Sequence, residues 1–165
     1  MKSQGDNAEI NPLTIIHLFN KKKVRYMLIG SMALSMHSAP FGSADWDFWV
    51  HGENRGEVYK ILGKFRLSGD YAAAEKKPLV IFTGDDYFKL DVFFVKAFSN
   101  RKKNINLSFN DTYERAVIKK DPKGDFFVRV PTLDDLLTML QVIEQPRLQH
   151  IKHIEYLKTL KKTAR

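Results

Sequence analysis

Residues 24–50 read VRYMLIGSMALSMHSAPFGSADWDFWV. A first apolar run in this stretch ends at Gly30-Ser31, and a second apolar run contains Asp45 and Asp47, two positions apart. A third run, FKLDVFFV over residues 88–95, carries Asp91 among apolar neighbours. Short apolar runs bounded by glycine and proline are typical of strands. The pattern predicts that the three runs form one sheet and bring their carboxylates together.

The spacing of the carboxylates predicts which side of that sheet they occupy. Residues two apart in a strand point the same way, so Asp45 and Asp47 share a face, and Asp91 shares its face with Lys89 and Phe93. The plain alternative is that these acids lie on the solvated face of an antiparallel sheet. Aromatic residues on the same faces argue against it, because a carboxylate among apolar groups is costly unless a positive charge meets it.

A divalent cation would remove that cost. Oxygen ligands with open positions suit Mg²⁺, which takes its remaining ligands from water and substrate phosphates. Gly30-Ser31 lies at a predicted strand-to-helix junction, where free backbone N–H groups favour a phosphate, and the Ser31 hydroxyl can donate a hydrogen bond. Lys89 could neutralise phosphate charge or form an ion pair with a neighbouring acid. Each signal alone is weak, since a lone Gly-Ser is usually a turn, but their order along the chain is more specific.

Composition limits the classes of protein. The 165 residues suit one domain with a substantial core, and the absence of cysteine excludes disulfides and cysteine-based zinc chemistry. No apolar run approaches the roughly 20 residues of a membrane span, and the polar start is no signal peptide, so we expect a cytoplasmic protein without a membrane partner. The formal charge of +8 suits polyanions such as nucleotides or RNA, although a basic surface explains it equally well.

The ordered set of motifs resembles the nucleotidyltransferase superfamily with the palm of the DNA polymerase β type. The family pattern is a hydrophobic residue with Gly-Ser or Gly-Gly, a spacer of about ten residues, Asp-hydrophobic-Asp, and a later separate Asp. Here these positions read Ile29-Gly30-Ser31, Asp45-Trp46-Asp47 and Asp91. Among small bacterial members the chain is most similar to the abortive-infection toxins of the AbiEii type. Those proteins carry an arginine before the two acids where this chain has Phe41.

The resemblance implies an enzyme of known chemistry. Asp45 and Asp47 would bind Mg²⁺ at the phosphates of a nucleoside triphosphate, which we expect to be ATP, and Asp91 would bind a second ion and orient or deprotonate the acceptor hydroxyl. Gly30, Ser31 and Lys89 would bind the nucleotide. The acceptor would be tRNA or a protein side chain.

Local sequence signals also divide the chain. We predict an α/β fold of the α+β kind, with a mixed sheet, flanking helices and a helical tail. Residues 1–10 are predicted to be a disordered lead-in, 11–130 a nucleotidyltransferase-like domain, and 131–165 a C-terminal helical hairpin packed on it. Within the domain, helices are predicted from Asn11-Pro12 and from Met32 to about Ser38, and hairpin turns at 84–86 and 121–124.

Two alternatives to an active enzyme remain open. The first is a catalytically weak or inactive member that binds nucleotide, RNA or a partner protein in the same groove, as Phe41 in place of arginine suggests. The second is a toxin–antitoxin partner protein whose amphipathic C-terminal helix docks another chain or pairs two copies in a homodimer. Nucleotide binding without turnover would identify the first, and self-association the second.

Overall fold

The computed structural model describes residues 11–43, 45–64, 77–83, 89–120 and 126–164. The predicted lead-in at 1–10 and the two predicted turns at 84–86 and 121–124 lie outside these ranges. Helix α1 spans Pro12–Lys21, and the Asn11 side chain caps it by accepting a hydrogen bond of 2.9 Å from the Leu13 N–H. The start of this helix is therefore as the Asn-Pro signal predicts.

The three apolar runs form one sheet, as predicted. Its strands are β1 (Tyr26–Ile29), β2 (Trp46–Val50), β3 (Leu79–Thr83) and β4 (Lys89–Phe93), in the order β1-β2-β4-β3. Strand β2 pairs antiparallel with β1 and parallel with β4, and β3 pairs antiparallel with β4. The sheet is thus mixed, and the predicted fold class is confirmed.

Helices cover one face of the sheet. Helix α2 (Gly30–Met36) leaves the end of β1, and a 3-10 turn at Gly52–Asn54 leads into α3 (Arg55–Gly63). The sheet residues Leu28, Phe48 and Leu90 are fully buried against apolar side chains from these elements. The buried residues that α1, α2 and α3 contribute to this main core are Ile15, Ile16, Phe19, Ala33, Leu34, Val58, Ile61 and Leu62.

A second, smaller core lies on the other face. It is built on Trp49, which is fully buried and contacts Phe98 and Phe109 edge to face, with ring centroids 4.6 and 5.3 Å apart. The Trp49 indole N–H donates to the Val95 carbonyl at 2.7 Å. The residues that supply this core belong to a hairpin, β5 (Ala97–Asn100) and β6 (Ile105–Ser108), and to α4 (Phe109–Arg115).

The chain then forms a second hairpin and two further helices. Strands β7 (Val117–Lys120) and β8 (Phe127–Val130) pair antiparallel, as predicted. Helix α5 spans Leu133–Val142, and α6 spans Leu148–Thr163. The two helices pack together, and Lys161 forms an ion pair of 2.6 Å with Asp134. No helix in the described ranges combines the length and apolar character that crossing a membrane requires.

Several boundaries differ from the sequence prediction. Helix α2 begins at Gly30 and not at Met32, because the chain turns at Gly30 itself, where φ is +70°. Asp45 lies just outside β2, since its N–H donates to the Ser43 hydroxyl at 3.0 Å and not to a neighbouring strand. The Thr-Leu-Asp-Asp sequence at 132–135 is typical of a capping box, but only half of the box forms. Thr132 accepts from the Asp135 N–H at 3.1 Å, while the Asp135 carboxylate bonds Arg115 at 2.9 Å.

Candidate active site

The register of the sheet brings the separated motifs together. In the antiparallel pair Ile29 lies opposite Asp47, and in the parallel pair Asp47 lies beside Asp91. Partners in a sheet present their side chains on the same face, so the two carboxylates are neighbours. The turn that follows Ile29, at the end of β1, therefore lies beside both acids.

Gly30 makes this close approach possible. Its φ of +70° is in the left-handed region, which glycine adopts without a steric penalty. A Cβ atom placed there would collide with the Oδ2 of Asp47 and would lie 3.2 Å from its Cγ. The position thus requires glycine for two reasons, the backbone conformation and the carboxylate that lies against it.

Lys89 provides positive charge among the carboxylates. Its Nζ donates to the Asp91 Oδ2 at 3.1 Å and lies 4.0 Å from the Asp45 Oδ2. The hydrogen bond to Asp91 raises the pKa of Lys89, so the amine is held in its charged form. Of the two interpretations of Lys89, the structure shows the ion pair.

Two observations show that the carboxylates are not fully satisfied by the protein. The Asp91 Oδ1 is a buried oxygen without a hydrogen-bond partner among the described residues. Burial, followed by repulsion from Asp91 and Asp45, raises the pKa of Asp47 to about 6. A cation or a hydrogen-bond donor would stabilise both the buried acceptor and the clustered negative charge.

A cavity of about 590 Å³ opens over these groups. All six residues that the sequence singled out line it, and they are Gly30, Ser31, Asp45, Asp47, Lys89 and Asp91. Beyond Asp91 its wall becomes apolar, with Phe93, Phe98, Met139, Leu140, Val142 and Ile143. The cavity thus has a charged end at the Gly30 turn and an apolar end beside β5 and α5.

The sequence prediction missed the contribution of α6 to this cavity. Arg147, Gln149, His150 and His153 line it, and the Gln149 side-chain amide donates to the Ser31 hydroxyl at 3.0 Å. The ring of Phe41 packs on His153 and Tyr156, with centroids 4.3 and 5.2 Å apart, and so fastens α6 to the loop before β2. The three-residue spacing of His150 and His153 places them on one helix face and is the one signal that the sequence offers, but no local pattern indicates what that face contacts.

His37 has a structural contact. Its Nε2 lies 2.7 Å from the Pro131 carbonyl, which ties the end of α2 to the segment before α5. Burial lowers the pKa of His37, so the neutral ring donates this hydrogen bond through Nε2. His37 is not among the residues that line the cavity.

The described part of the chain contains no group of three or more His, Cys, Asp or Glu side chains that could hold a metal ion by themselves. Magnesium sites for nucleotides commonly use one or two carboxylates, with substrate phosphates and water as the other ligands. The donor set at this cavity is of that kind, because it consists of carboxylate oxygens, one of them without a partner.

Comparison with solved structures identifies the fold. The chain is similar to the lincosamide antibiotic adenylyltransferase LnuA bound to lincomycin, with a TM-score of 0.63 and 14% identity over 89% of this chain and 94% of that one. It is similar to a nucleotidyltransferase-like protein, TM1012 of Thermotoga maritima, with a TM-score of 0.60 and 16% identity over 93% and 89%. The antibiotic-resistance factor ANT(2'')-Ia gives 0.58 and 14% over 90% and 80%.

The chain therefore has the fold of the nucleotidyltransferases, and this prediction is confirmed. No family model and no curated protein matches the sequence. At identities of 14–16% the likeness establishes the fold and leaves the activity to the site. The similarity to toxins of the AbiEii type, the roles of the site residues and the division of the chain at residue 130 stay predictions.

Proposed function

We propose that the protein is a Mg²⁺-dependent nucleotidyltransferase that transfers a nucleoside monophosphate from an NTP to an acceptor hydroxyl. The observation that carries this proposal is the pairing of Asp47 with Asp91 beside the Gly30 turn, with one carboxylate oxygen buried and unpartnered. If these acids only stabilised the fold, we would expect each carboxylate to be hydrogen-bonded, ion-paired or exposed to solvent.

The charged end of the cavity suits the nucleotide phosphates. The Gly30 turn offers backbone N–H groups, and Ser31 offers a hydroxyl whose oxygen already accepts from Gln149, so its own proton is free to be donated. Lys89 adds positive charge on the opposite side of the carboxylates. ATP is the nucleotide we expect.

Asp45, Asp47 and Asp91 would hold the magnesium, which supplies the positive charge that offsets the charge of the triphosphate and of the leaving group. The unpartnered oxygen of Asp91 and the raised pKa of Asp47 both fit a cation at this place. A cation held beside Asp47 would offset the repulsion from the neighbouring acids and lower the pKa of its carboxyl group again.

The chemical step balances with the groups present. The acceptor oxygen attacks the α-phosphorus, a new phosphorus–oxygen bond forms, and the bond to the bridging oxygen of pyrophosphate breaks. The hydroxyl proton leaves toward the carboxylate of Asp91, which lines the cavity and whose Oδ2 is held by Lys89. Asp91 is thus the residue that we place nearest the acceptor.

The apolar end of the cavity favours a small acceptor. Phe93 follows Asp91 on the same face of β4 and contacts Phe98 edge to face at 5.6 Å. A hydroxyl compound with an apolar body would bury that body here and present its oxygen to Asp91. LnuA, whose structure contains lincomycin, has the same fold. A tRNA end or a protein side chain, the acceptors expected from the sequence, are the other substrates to test.

Exchange of the site acids tests the proposal. We expect Asp45→Asn, Asp47→Asn and Asp91→Asn each to reduce transfer by roughly a hundredfold or more, because each removes charge from the reacting centre. The assay follows label from the four α-labelled NTPs, with Mg²⁺, into a set of hydroxyl-bearing small molecules, total tRNA and protein. Chelation of the metal should stop the reaction.

The matched control is Glu155→Gln. Glu155 is an exposed residue of α6 that does not line the cavity, and the exchange removes the same charge as each site variant. This variant should retain wild-type activity. If any of the three site variants retains full activity while folded, the assignment of that residue is wrong.

One observation favours the non-catalytic alternative. The Nζ of Lys89 already bonds Asp91 and lies near Asp45, so a lysine supplies charge where a metal ion would. A protein of this kind would bind a nucleotide without transferring it. Calorimetry with ATP and Mg²⁺ alongside the labelled assay separates the two, since this alternative requires binding with no labelled product.

A further inference from the structure

One of the cationic side chains that line the cavity lies at the start of α6. A nucleoside triphosphate carries several negative charges, and the described lining contains two groups that are always or nearly always cationic, Lys89 and Arg147. Lys89 is already engaged with Asp91 and Asp45. Arg147 forms no ion pair with any carboxylate in the described ranges, so its charge is available to a ligand.

The backbone at Arg147 is held in place by contacts that other residues of α6 make. Gln149, two residues further on, bonds the Ser31 hydroxyl at 3.0 Å, which holds the first turn of α6 beside the Gly30 turn. Farther along, His153 is buried against Phe41 at 4.3 Å, and Leu157 is buried in the main core. The start of α6 is therefore held over the charged end of the cavity by contacts along the helix.

His150 completes this turn. Its Nδ1 accepts from the backbone N–H of Arg147 at 3.2 Å, so the neutral ring carries its proton on Nε2. His150 lines the same cavity and thus has a donor that this bond leaves free.

We propose that the first turn of α6 completes the phosphate subsite: Arg147 binds the polyphosphate of the nucleotide, and Gln149 positions the Ser31 hydroxyl to donate to it. This inference rests on the proposed nucleotide site. A guanidinium is suited to the task because its planar set of N–H donors matches two phosphate oxygens at once. Arg147 would then supply the positive charge that an arginine in the loop before β2 supplies in the similar toxins. Phe41, in that loop, would instead pack against the helix that carries Arg147.

Binding measurements test the role of Arg147. Calorimetry with Mg²⁺ would compare ATP, AMP and inorganic tripolyphosphate against the wild-type protein, Arg147→Ala and Arg147→Lys. We expect Arg147→Ala to weaken ATP and tripolyphosphate by roughly tenfold to a hundredfold, with AMP changed by less than about threefold, because a charged hydrogen bond to the outer phosphates is lost. Arg147→Lys should fall between, since lysine keeps the charge and loses the paired geometry.

Lys152→Ala is the control, because Lys152 is exposed on the same helix, does not line the cavity, and carries the same charge. It should bind as the wild type does. If the wild type binds neither NTP nor tripolyphosphate, the nucleotide site and this subsite are both overturned. If the wild type binds ATP and Arg147→Ala binds it equally well, the subsite alone is overturned. The same holds if Arg147→Ala weakens the binding of ATP and of AMP by the same factor.

A double-mutant cycle tests Gln149 as a positioning residue. If Gln149 acts through the Ser31 hydroxyl, Gln149→Ala should weaken ATP binding in the wild type and have little further effect in Ser31→Ala. A purely structural role would give effects that add. Additive effects would therefore overturn the assignment of Gln149.

Discussion

At the scale of single residues, the site depends on a glycine and an acid that lie in contact. Gly30 adopts a positive φ, and the Asp47 carboxylate lies where a β-carbon would be. The Gly30 turn and Asp47 are thus packed as one unit, because a β-carbon at position 30 and the Asp47 carboxylate could not both occupy these positions.

Gly30→Ala should be strongly destabilising. The left-handed conformation alone costs roughly 1–2 kcal/mol for a residue with a β-carbon, and the collision with Asp47 adds to it. Removing the collision partner should recover part of the loss, so Gly30→Ala should cost less stability in an Asp47→Ala background. Denaturant unfolding measures both differences.

Gly56 provides the comparison for that exchange. It is an exposed residue of α3, and a β-carbon there would meet open space. Gly56→Ala should raise stability by roughly 0.5–1 kcal/mol, as expected for an alanine inside a helix. Equal costs at the two positions would contradict the account of Gly30.

Asp47 should reduce stability at neutral pH in the absence of ligand. Its pKa is raised from 3.8 to about 6 by burial and by the neighbouring acids, so the folded protein binds this proton more tightly than the unfolded chain. The stabilising effect is complete below pH 3.8 and is lost as the pH rises through about 6. Asp47→Asn should therefore stabilise the metal-free protein by about 1–2 kcal/mol at pH 7.5.

Thermal melts at two pH values check this prediction. The gain of Asp47→Asn should be about 2–6 °C at pH 7.5 and should be absent near pH 4, where the aspartate is itself protonated. Glu155→Gln, which exchanges an exposed acid outside the cavity, should show no such difference between the two pH values. A lower midpoint for Asp47→Asn at both pH values would mean that the carboxylate is stabilising.

At the scale of elements, α6 is the part of the site that is least anchored by backbone. It is not hydrogen-bonded into the sheet, and its N-terminal half is held by Phe41 and by the Gln149 bond to Ser31. The opening of this helix should therefore be governed by a few side chains.

Phe41→Ala should loosen α6 without disturbing the sheet. Loss of the ring contacts to His153 and Tyr156 should cost about 1–3 kcal/mol and accelerate amide exchange in 148–157 more than in β1 or β2. Phe127→Ala is the comparison, because that ring is 47% exposed on β8. If exchange in 148–157 is unchanged in Phe41→Ala, then Phe41 does not hold the helix.

At the scale of the whole molecule, the features that could be predicted are those that neighbours along the chain determine. The strand, the Gly30 turn and the acid-bearing strand follow from residues within 24–50, and the cap at Asn11 from a dipeptide. The sequence does not predict the short strands β5 and β6, because a run of four residues is too brief for a periodic signal. Their burial comes from Trp49, far away in sequence.

The rest of the site depends on contacts between distant parts of the chain. The sequence predicts that Asp91 joins the other acids, but its parallel register with Asp47 is a contact between strands far apart in the chain that no local pattern indicates. The bond from Gln149 to Ser31 joins residues on opposite ends of the chain and has no local pattern. The three-residue spacing of the histidines in α6 indicated a shared face and could not indicate the cavity.

The parallel pairing of β2 with β4 has a consequence for how the candidate site is assembled. Asp47 and Asp91 lie on strands separated in sequence by a helix and a hairpin strand, so we expect the two acids to meet late in folding and against their mutual repulsion. Neither a fragment ending before β4 nor one beginning after β2 can contain the pair. In the proposed enzyme, transfer activity would therefore report that β2 and β4 have paired, and a dissolved cation that binds both acids would favour that pairing.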